Sequence, residues 1–211
     1  MNFRRITFAF IAVCIVATGI SAQTDKDVRV VYNLIVREMK NERNREYAQS
    51  KENPRKFLYF LSTTESDDVS DQEDSISVRS LDGKILKFEV HSKELSKFLS
   101  DPTLIFVDKR EIEEMKESSM IEWKAMIDAR PRSLPGIPFQ CGDDWKHIHK
   151  KYPEASRIYY LSQVALDARR RSAFLKVGWN SGCANLNYAF YLDKKKGKWQ
   201  ITDSRAWGGI S

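Results

Sequence analysis

Four segments in the last third of the chain alternate apolar and polar residues with a period of two. Ile158, Tyr160, Val164 and Leu166 share a face in Arg157–Leu166, and Ala173, Leu175, Val177 and Trp179 in Ser172–Trp179. Leu186, Tyr188, Phe190 and Leu192 do so in Leu186–Leu192, and Trp199 and Ile201 in Lys198–Asp203. Successive side chains of a strand point to opposite faces, so each segment is built to bury one side and wet the other. Asn180-Ser181-Gly182 and Lys196-Gly197 are short turn signals between them. Sequential strands joined by such turns predict a four-stranded antiparallel meander with one face on the core.

The residues upstream supply helices to cover that face. Thr24 followed by Asp27 is a cap-like start, and Val28, Val31, Tyr32, Ile35 and Met39 then recur at helical spacing up to the charged stretch Asn41 to Glu46. Phe57 to Leu61 is a continuous apolar run of strand length. Residues 64–75 hold Glu65, Asp67, Asp68, Asp71, Glu73 and Asp74 but lack the Gly and Glu frame of a calcium loop, so an acidic surface loop is expected. Asp82-Gly83 between two strand-like runs predicts a two-residue hairpin turn. Ser92 opens a short helix bearing Leu95, Phe98 and Leu99, stopped by Pro102, and Thr103 to Val107 adds a strand. Asp108 with Glu111 caps a second long helix on which Ile112, Met115, Trp123, Met126 and Ile127 are apolar, reaching about Ala129. Pro131, Pro135, Gly136 and Pro138 mark a loop, and residues 130–140 are the place for a subdomain seam. Asp143 or Asp144 caps a short helix, Trp145 to Lys151, ended by Pro153. The fold class is α+β: a C-terminal antiparallel meander with N-terminal helices packed on a sheet, read as one domain over residues 23–211.

At the other end of the chain, Arg4 and Arg5 precede an apolar run from Ile6 to Ile20, which ends in Ser21-Ala22. A basic start, an apolar middle and a small-residue exit are the parts of a secretory signal peptide, with cleavage expected after Ala22. The run is about 15 residues, short of the about 20 that span a bilayer. An uncleaved anchor is the alternative. Cys14 sits mid-run behind Val13, not at its end behind a small residue, which argues against lipid attachment. No other apolar run reaches spanning length, so no stable membrane span is expected after cleavage and the exported chain is expected to be soluble, periplasmic or extracellular.

Export gives the cysteines a meaning. Cys141 and Cys183 remain once Cys14 has left, an even pair in an oxidising compartment. A structural disulfide is the expectation, and two buried thiols or functional thiols are the alternatives. A loop of that length closed by a bridge is stabilised by about 4 kcal/mol in the chain-entropy account. The net charge of +6 loses two positive charges with the signal segment. Nucleic-acid binding asks for a dense basic stripe, but here the basic residues are interleaved with acids, so nucleic acid is not an expected partner. Arg169-Arg170-Arg171 and Lys194-Lys195-Lys196 read as solvated turns between strands.

The C-terminal block carries a likeness. The succession Trp145, Tyr152-Pro153, Tyr160-Leu161-Ser162-Gln163-Val164, Ala173-Phe174-Leu175-Lys176-Val177, Gly182-Cys183, Phe190-Tyr191-Leu192-Asp193-Lys194 and Gly197-Lys198-Trp199, closing on Trp207 and Ser211, resembles a group of small exported bacterial proteins of unknown function. It spans about 65 residues and rests on strand and turn signals. The chain departs from the pattern before Cys183, where a second Gly or Cys is expected, and in its ending Trp-Gly-Gly-Ile-Ser. The resemblance implies export and the style of fold, and no catalytic residue, cofactor or substrate.

Tests for chemistry leave few candidates. His147 and His149 lie near Cys141, Asp143 and Asp144, a metal-ligand composition. On a helix, however, residues two apart diverge by about 200° and cannot share an ion. Cys141 with His147 makes a nucleophile–base pair only if the disulfide is absent. Ser162 lies within a strand without the flanking glycines of a nucleophile elbow and reads as a core serine bonded to backbone. No phosphate-binding loop, dinucleotide loop or zinc-protease motif is present in the sequence. Of the five tryptophans, Trp179 and Trp199 fall on core faces, while Trp145 and Trp207 lie outside the expected strands and are the candidates for ligand stacking. The favoured reading is a non-enzymatic exported protein without catalytic residues, metal or cofactor, which binds a protein partner or a small ligand. A small hydrolase with its site near His147 and a structural envelope protein are the alternatives.

Overall fold

The computed structural model describes residues 26–46, 48–49, 57–63, 75–79, 83, 85–89, 94–130 and 142–210. The signal segment, Thr24, the acidic stretch to Asp74, Asp82, Ser92, residues 131–141 with Cys141, and Ser211 lie outside the described residues. Among the described residues the chain forms three helices on a nine-stranded mixed sheet, which is the α+β class.

Helix α1 (residues 26–46) forms where the 3.6-residue repeat places it. All five expected apolar positions are at most 3% exposed, and Val36 joins them. They cover the meander: Leu175, Val177, Phe190, Leu192 and Trp199 belong to the same cluster, as do Leu58, Phe60 and Leu161. Polar bonds fix the helix along its length. The Asp27 carboxylate, 4% exposed, accepts from Lys194 Nζ at 2.6 Å and Trp199 Nε1 at 3.1 Å. Tyr32 donates to the Ser162 carbonyl at 3.1 Å, and Arg43 donates to the Phe57 carbonyl at 2.7 Å. Lys40 pairs with Asp101, whose carboxyl it pulls down to about 2.

Strand β1 (Leu58–Leu61) is buried on both faces. That is why it reads as a continuous apolar run: it lies between β4 (Leu104–Val107) and β5 (Ile158–Leu161), and all three are parallel. The antiparallel pair β2 (Ser75–Arg79) and β3 (Ile85–Glu89) joins the sheet through β6 (Ala165–Asp167). The expected Asp82-Gly83 turn falls between these strands, where Gly83 takes φ +80° and its neighbours lie outside the described residues. The expected helix after Ser92 is a single 3-10 turn, Leu95–Lys97, with Leu95 and Leu99 buried. The meander closes the sheet: β7 (Ser172–Asn180) pairs β8 (Ala184–Lys195), which pairs β9 (Lys198–Ile210). Trp207, expected outside the strands, is in β9 opposite Asn187.

The first expected meander strand is two strands. β5 and β6 pair with one edge of β7, Leu161 opposite Val177 and Ala165 opposite Phe174. The register slips by one residue between them, which is a bulge, and the bulge reverses which side faces which way. Ile158 therefore packs on the side away from α1, whereas Val164 and Leu166 pack on the side of α1. Ser162 closes the break. Its N–H donates to the Lys176 carbonyl at 2.9 Å, and its Oγ accepts from the Lys176 N–H at 2.8 Å while donating to the Gln163 carbonyl at 2.9 Å.

The other side of the parallel strands carries α2 (Lys109–Asp128) and α3 (Lys146–Lys151), so the helices divide between two faces instead of sharing one. Asp108 caps α2 as the sequence indicates, accepting from the Arg110 and Glu111 N–H groups. Only Ile112 and Ser119 of α2 are buried. Ile121 and Met126 are 60% and 46% exposed, because a 20-residue helix is about 30 Å long and outruns the three short strands beneath it.

Replacing Ser162 with Ala removes the acceptor at the bulge and should cost about 1–3 kcal/mol, read as a lower urea midpoint at unchanged slope. A loss below about 0.5 kcal/mol would show that the register slip holds without the hydroxyl.

Candidate binding cleft beside Trp145

Gly142 takes φ +91° and turns the chain into a 3-10 turn, Asp143–Trp145, that runs on into α3. Trp145 is thereby delivered into the core of the α2 side, 1% exposed among Leu61, Ile112, Ile148 and Ile158. The β7–β8 turn clamps it from above. Asn180 Oδ1 accepts from the Gly182 N–H at 2.7 Å, and Gly182 holds φ +80°. A Cβ on Gly182 would lie 2.5 Å from Trp145 Cδ1, so only glycine fits over the indole. The same turn carries Cys183, whose Sγ is 3.4 Å from where a Gly142 Cβ would stand, one residue from Cys141 in sequence.

Tyr160 forms the next wall. Its ring lies across Gly178, where a Cβ would be 2.0 Å from Tyr160 Cζ, and its hydroxyl donates to Asn187 Oδ1 on β8. Between these aromatics and α2 is a cleft of about 180 Å³. Leu61, Ile112 and Ile158 make its apolar lining, and Asn180, Lys109 and Glu113 supply polar groups. Lys116 also lines it, with its ammonium 5.9 Å from the Trp145 ring centroid. A cavity of about 150 Å³ holds a benzene ring, so this cleft has room for one ring with a small substituent.

The histidines serve the α2–α3 contact. His147 Nε2 is 2.7 Å from Glu122 Oε1, and the His147 N–H donates to Ser119 Oγ at 3.1 Å. Lys146 and then His147 hold the Glu122 carboxyl below its ordinary range. Ser119 is 1% exposed and gives its proton to the Met115 carbonyl. A serine, a histidine and a glutamate thus meet here, but the hydroxyl is buried and bonded to backbone on both sides, so it does not present an attacking oxygen. The His149 ring lies 5.7 Å from the Trp145 ring. The two imidazoles meet different partners, as residues two apart on a helix should. Ser162, as expected, is a core serine bonded to backbone.

Two features escaped the sequence reading. The sequence places Tyr160 on a core face with Val164, but the bulge turns it into the cleft. Lys194, read as solvated, is 22% exposed and bridges Asp27 while lying 5.2 Å from the Trp199 ring. Lys196 and Gly197 form the expected β8–β9 turn, both with positive φ. A wider concavity, about 910 Å³, runs from the exposed side of α1 to this turn and is lined by Lys26, Arg29, Arg37, Lys40, Lys194 and Lys198. It is an open basic surface with Trp199 as its aromatic lining residue, and its Asp27 and Asp101 are joined to Lys194 and Lys40.

No protein-family model matches the chain, and no curated protein or solved structure matches it either.

Gly182→Ala should destabilise the protein by at least about 1 kcal/mol more than Gly197→Ala. Both positions have similar φ, but the added methyl at Gly197 meets nothing within 4 Å. Equal losses in parallel melts would show that the indole gives way and that the turn does not clamp it.

Proposed function

We propose that this is a non-enzymatic exported bacterial protein that holds a small ligand in the Trp145 cleft. The observation that carries the reading is the cleft itself: an apolar lining, two aromatic walls and a few placed polar groups, the composition of a ligand site. Its size and the Lys116 ammonium above the indole favour a single ring or short acyl chain bearing a carboxylate. The apolar part replaces water on Leu61, Ile112 and Ile158, and the carboxylate meets Lys116 at the rim.

A titration of the mature chain with benzoate, followed by amide and indole NMR shifts, tests the reading. Shifts should concentrate on Trp145, Tyr160 and Lys116, and Lys116→Glu should weaken them while leaving the thermal midpoint in place. If benzoate, cyclohexanecarboxylate and hexanoate all leave those signals unmoved, the cleft is not a carboxylate site. The second reading, a hydrolase near His147, is favoured by the short His147–Glu122 contact. His147→Ala separates the two, because it leaves benzoate binding intact and would abolish a hydrolytic activity centred there.

Export and the disulfide belong to the same proposal. Cleavage after Ala22 is supported by the small-residue exit, and among the described residues no helix is long and apolar enough to cross a membrane. A Cys141–Cys183 bridge is supported by the seat of Cys183 Sγ beside Gly142, and it would tie the β7–β8 turn to the segment that delivers Trp145. A denatured mass spectrum with and without reductant should give a chain starting at Gln23 and a gain of two hydrogens on reduction. An unchanged mass on reduction would remove the bridge, and a retained Met1 would remove cleavage.

A further inference from the structure

We propose that β9 is the pairing edge for a second copy of this chain, joined antiparallel about a two-fold axis at Ser204. Among the described residues β9 pairs only with β8, although it runs from Lys198 to Ile210. The register with β8 slips once, at Thr202, and from Asp203 onward the strand edge presents a regular row of backbone donors and acceptors to a neighbouring strand. Thr202, Ser204, Arg205 and Ala206 are exposed, so both faces of this stretch are open to solvent.

The charges select the partner. Asp203 and Arg205 flank Ser204 at positions two apart and share one face of β9, with Arg205 Nε 3.3 Å from Asp203 Oδ2. Antiparallel pairing about Ser204 sets Asp203 of each copy opposite Arg205 of the other, twice per dimer. Like charges opposite one another in such a ladder repel, and opposite charges attract. A strand carrying an acid and a base symmetrically about one residue is therefore complementary to itself in this register. A slip by one residue puts the charges on opposite faces, and a slip by two breaks both pairs and sets Asp203 against Asp203 or Arg205 against Arg205. A two-fold contact requires this self-complementarity of the surface that makes it.

Sedimentation velocity of the mature chain over a concentration series tests the proposal. The wild type should dimerise, and Arg205→Asp, which sets acid against acid at both crossings, should raise the dimer dissociation constant about tenfold or more. The exchanged variant, Asp203→Arg with Arg205→Asp, restores both pairs and should recover the dimer. Circular dichroism on each variant confirms that the fold is kept. A wild type that stays monomeric, or a dimer indifferent to Arg205→Asp, or an exchanged variant that fails to recover, overturns the assignment.

Discussion

The one-residue slip at Ser162 sets the rest of the architecture. A strand that ran unbroken from Ile158 to Asp167 would pair along the whole edge of β7 and show the same face to α1 throughout. The bulge divides it into β5 and β6, and each half recruits a different neighbour. β5 takes β1 and β4 in parallel, and β6 takes β3 and β2 antiparallel. Because the side chains change sides across the slip, Ile158 and Tyr160 are released to meet α2 and Trp145, while Val164 and Leu166 stay under α1. The cleft is a consequence of this geometry. The Ser162 hydroxyl accepts from the Lys176 N–H at the slip, which accounts for a small polar residue in an apolar setting.

Much of this fold was legible in the periodicity. The α1 stripe, the buried β1 run, the Asp108 cap, the short α3 and the last three strands follow from spacing, and the structure places them close to their expected bounds, except that β9 runs past Asp203 to Ile210. The parallel trio was not legible, since a four-residue apolar run says that a strand is buried and not which neighbours bury it. The slip at Ser162 was also hidden. Ile158, Tyr160, Val164 and Leu166 keep an even spacing in sequence, and only the partner strand shows that one residue between them is extra. The exposed end of α2 failed for a related reason: apolar residues at helical spacing mark a face, but the length of the strands beneath decides how much of it is covered.

The site was legible in part. Trp145 was singled out because it lies outside the strands, and it proves to be the centre of the cleft, although it arrives there as a buried residue. The glycines that shape the cleft carry no chemical signature; Gly178 and Gly182 matter through the aromatic rings that lie where a Cβ would be. His147 was picked for the chemistry of its neighbours in sequence, and its actual neighbour is Glu122 on another helix. Long-range partners of this kind are invisible to spacing.

The two helical layers are held to the sheet with different security. α1 is fixed by a broad apolar stripe and by bonds that reach into the sheet: Asp27 to Lys194 and Trp199, Tyr32 to Ser162, and Glu42 to Tyr188, whose hydroxyl burial and Glu42 hold protonated well above its usual range. Removing one partner of a nearly buried carboxylate such as Asp27 leaves the other polar groups poorly compensated, so this layer resists opening. The α2–α3 layer has fewer buried side chains, and beside the partly buried His147 N–H to Ser119 Oγ bond its ion pairs among the described residues are Lys146–Glu122, His147–Glu122 and Lys151–Glu111, all with solvent access. Water competes for such pairs, and they restrain little. Local opening in a folded protein follows the layer with fewer buried contacts and more exposed bonds. The Trp145 cleft lies under that layer, so the ligand of the proposed function would enter by a small displacement of α2 while α1 and the meander keep their packing.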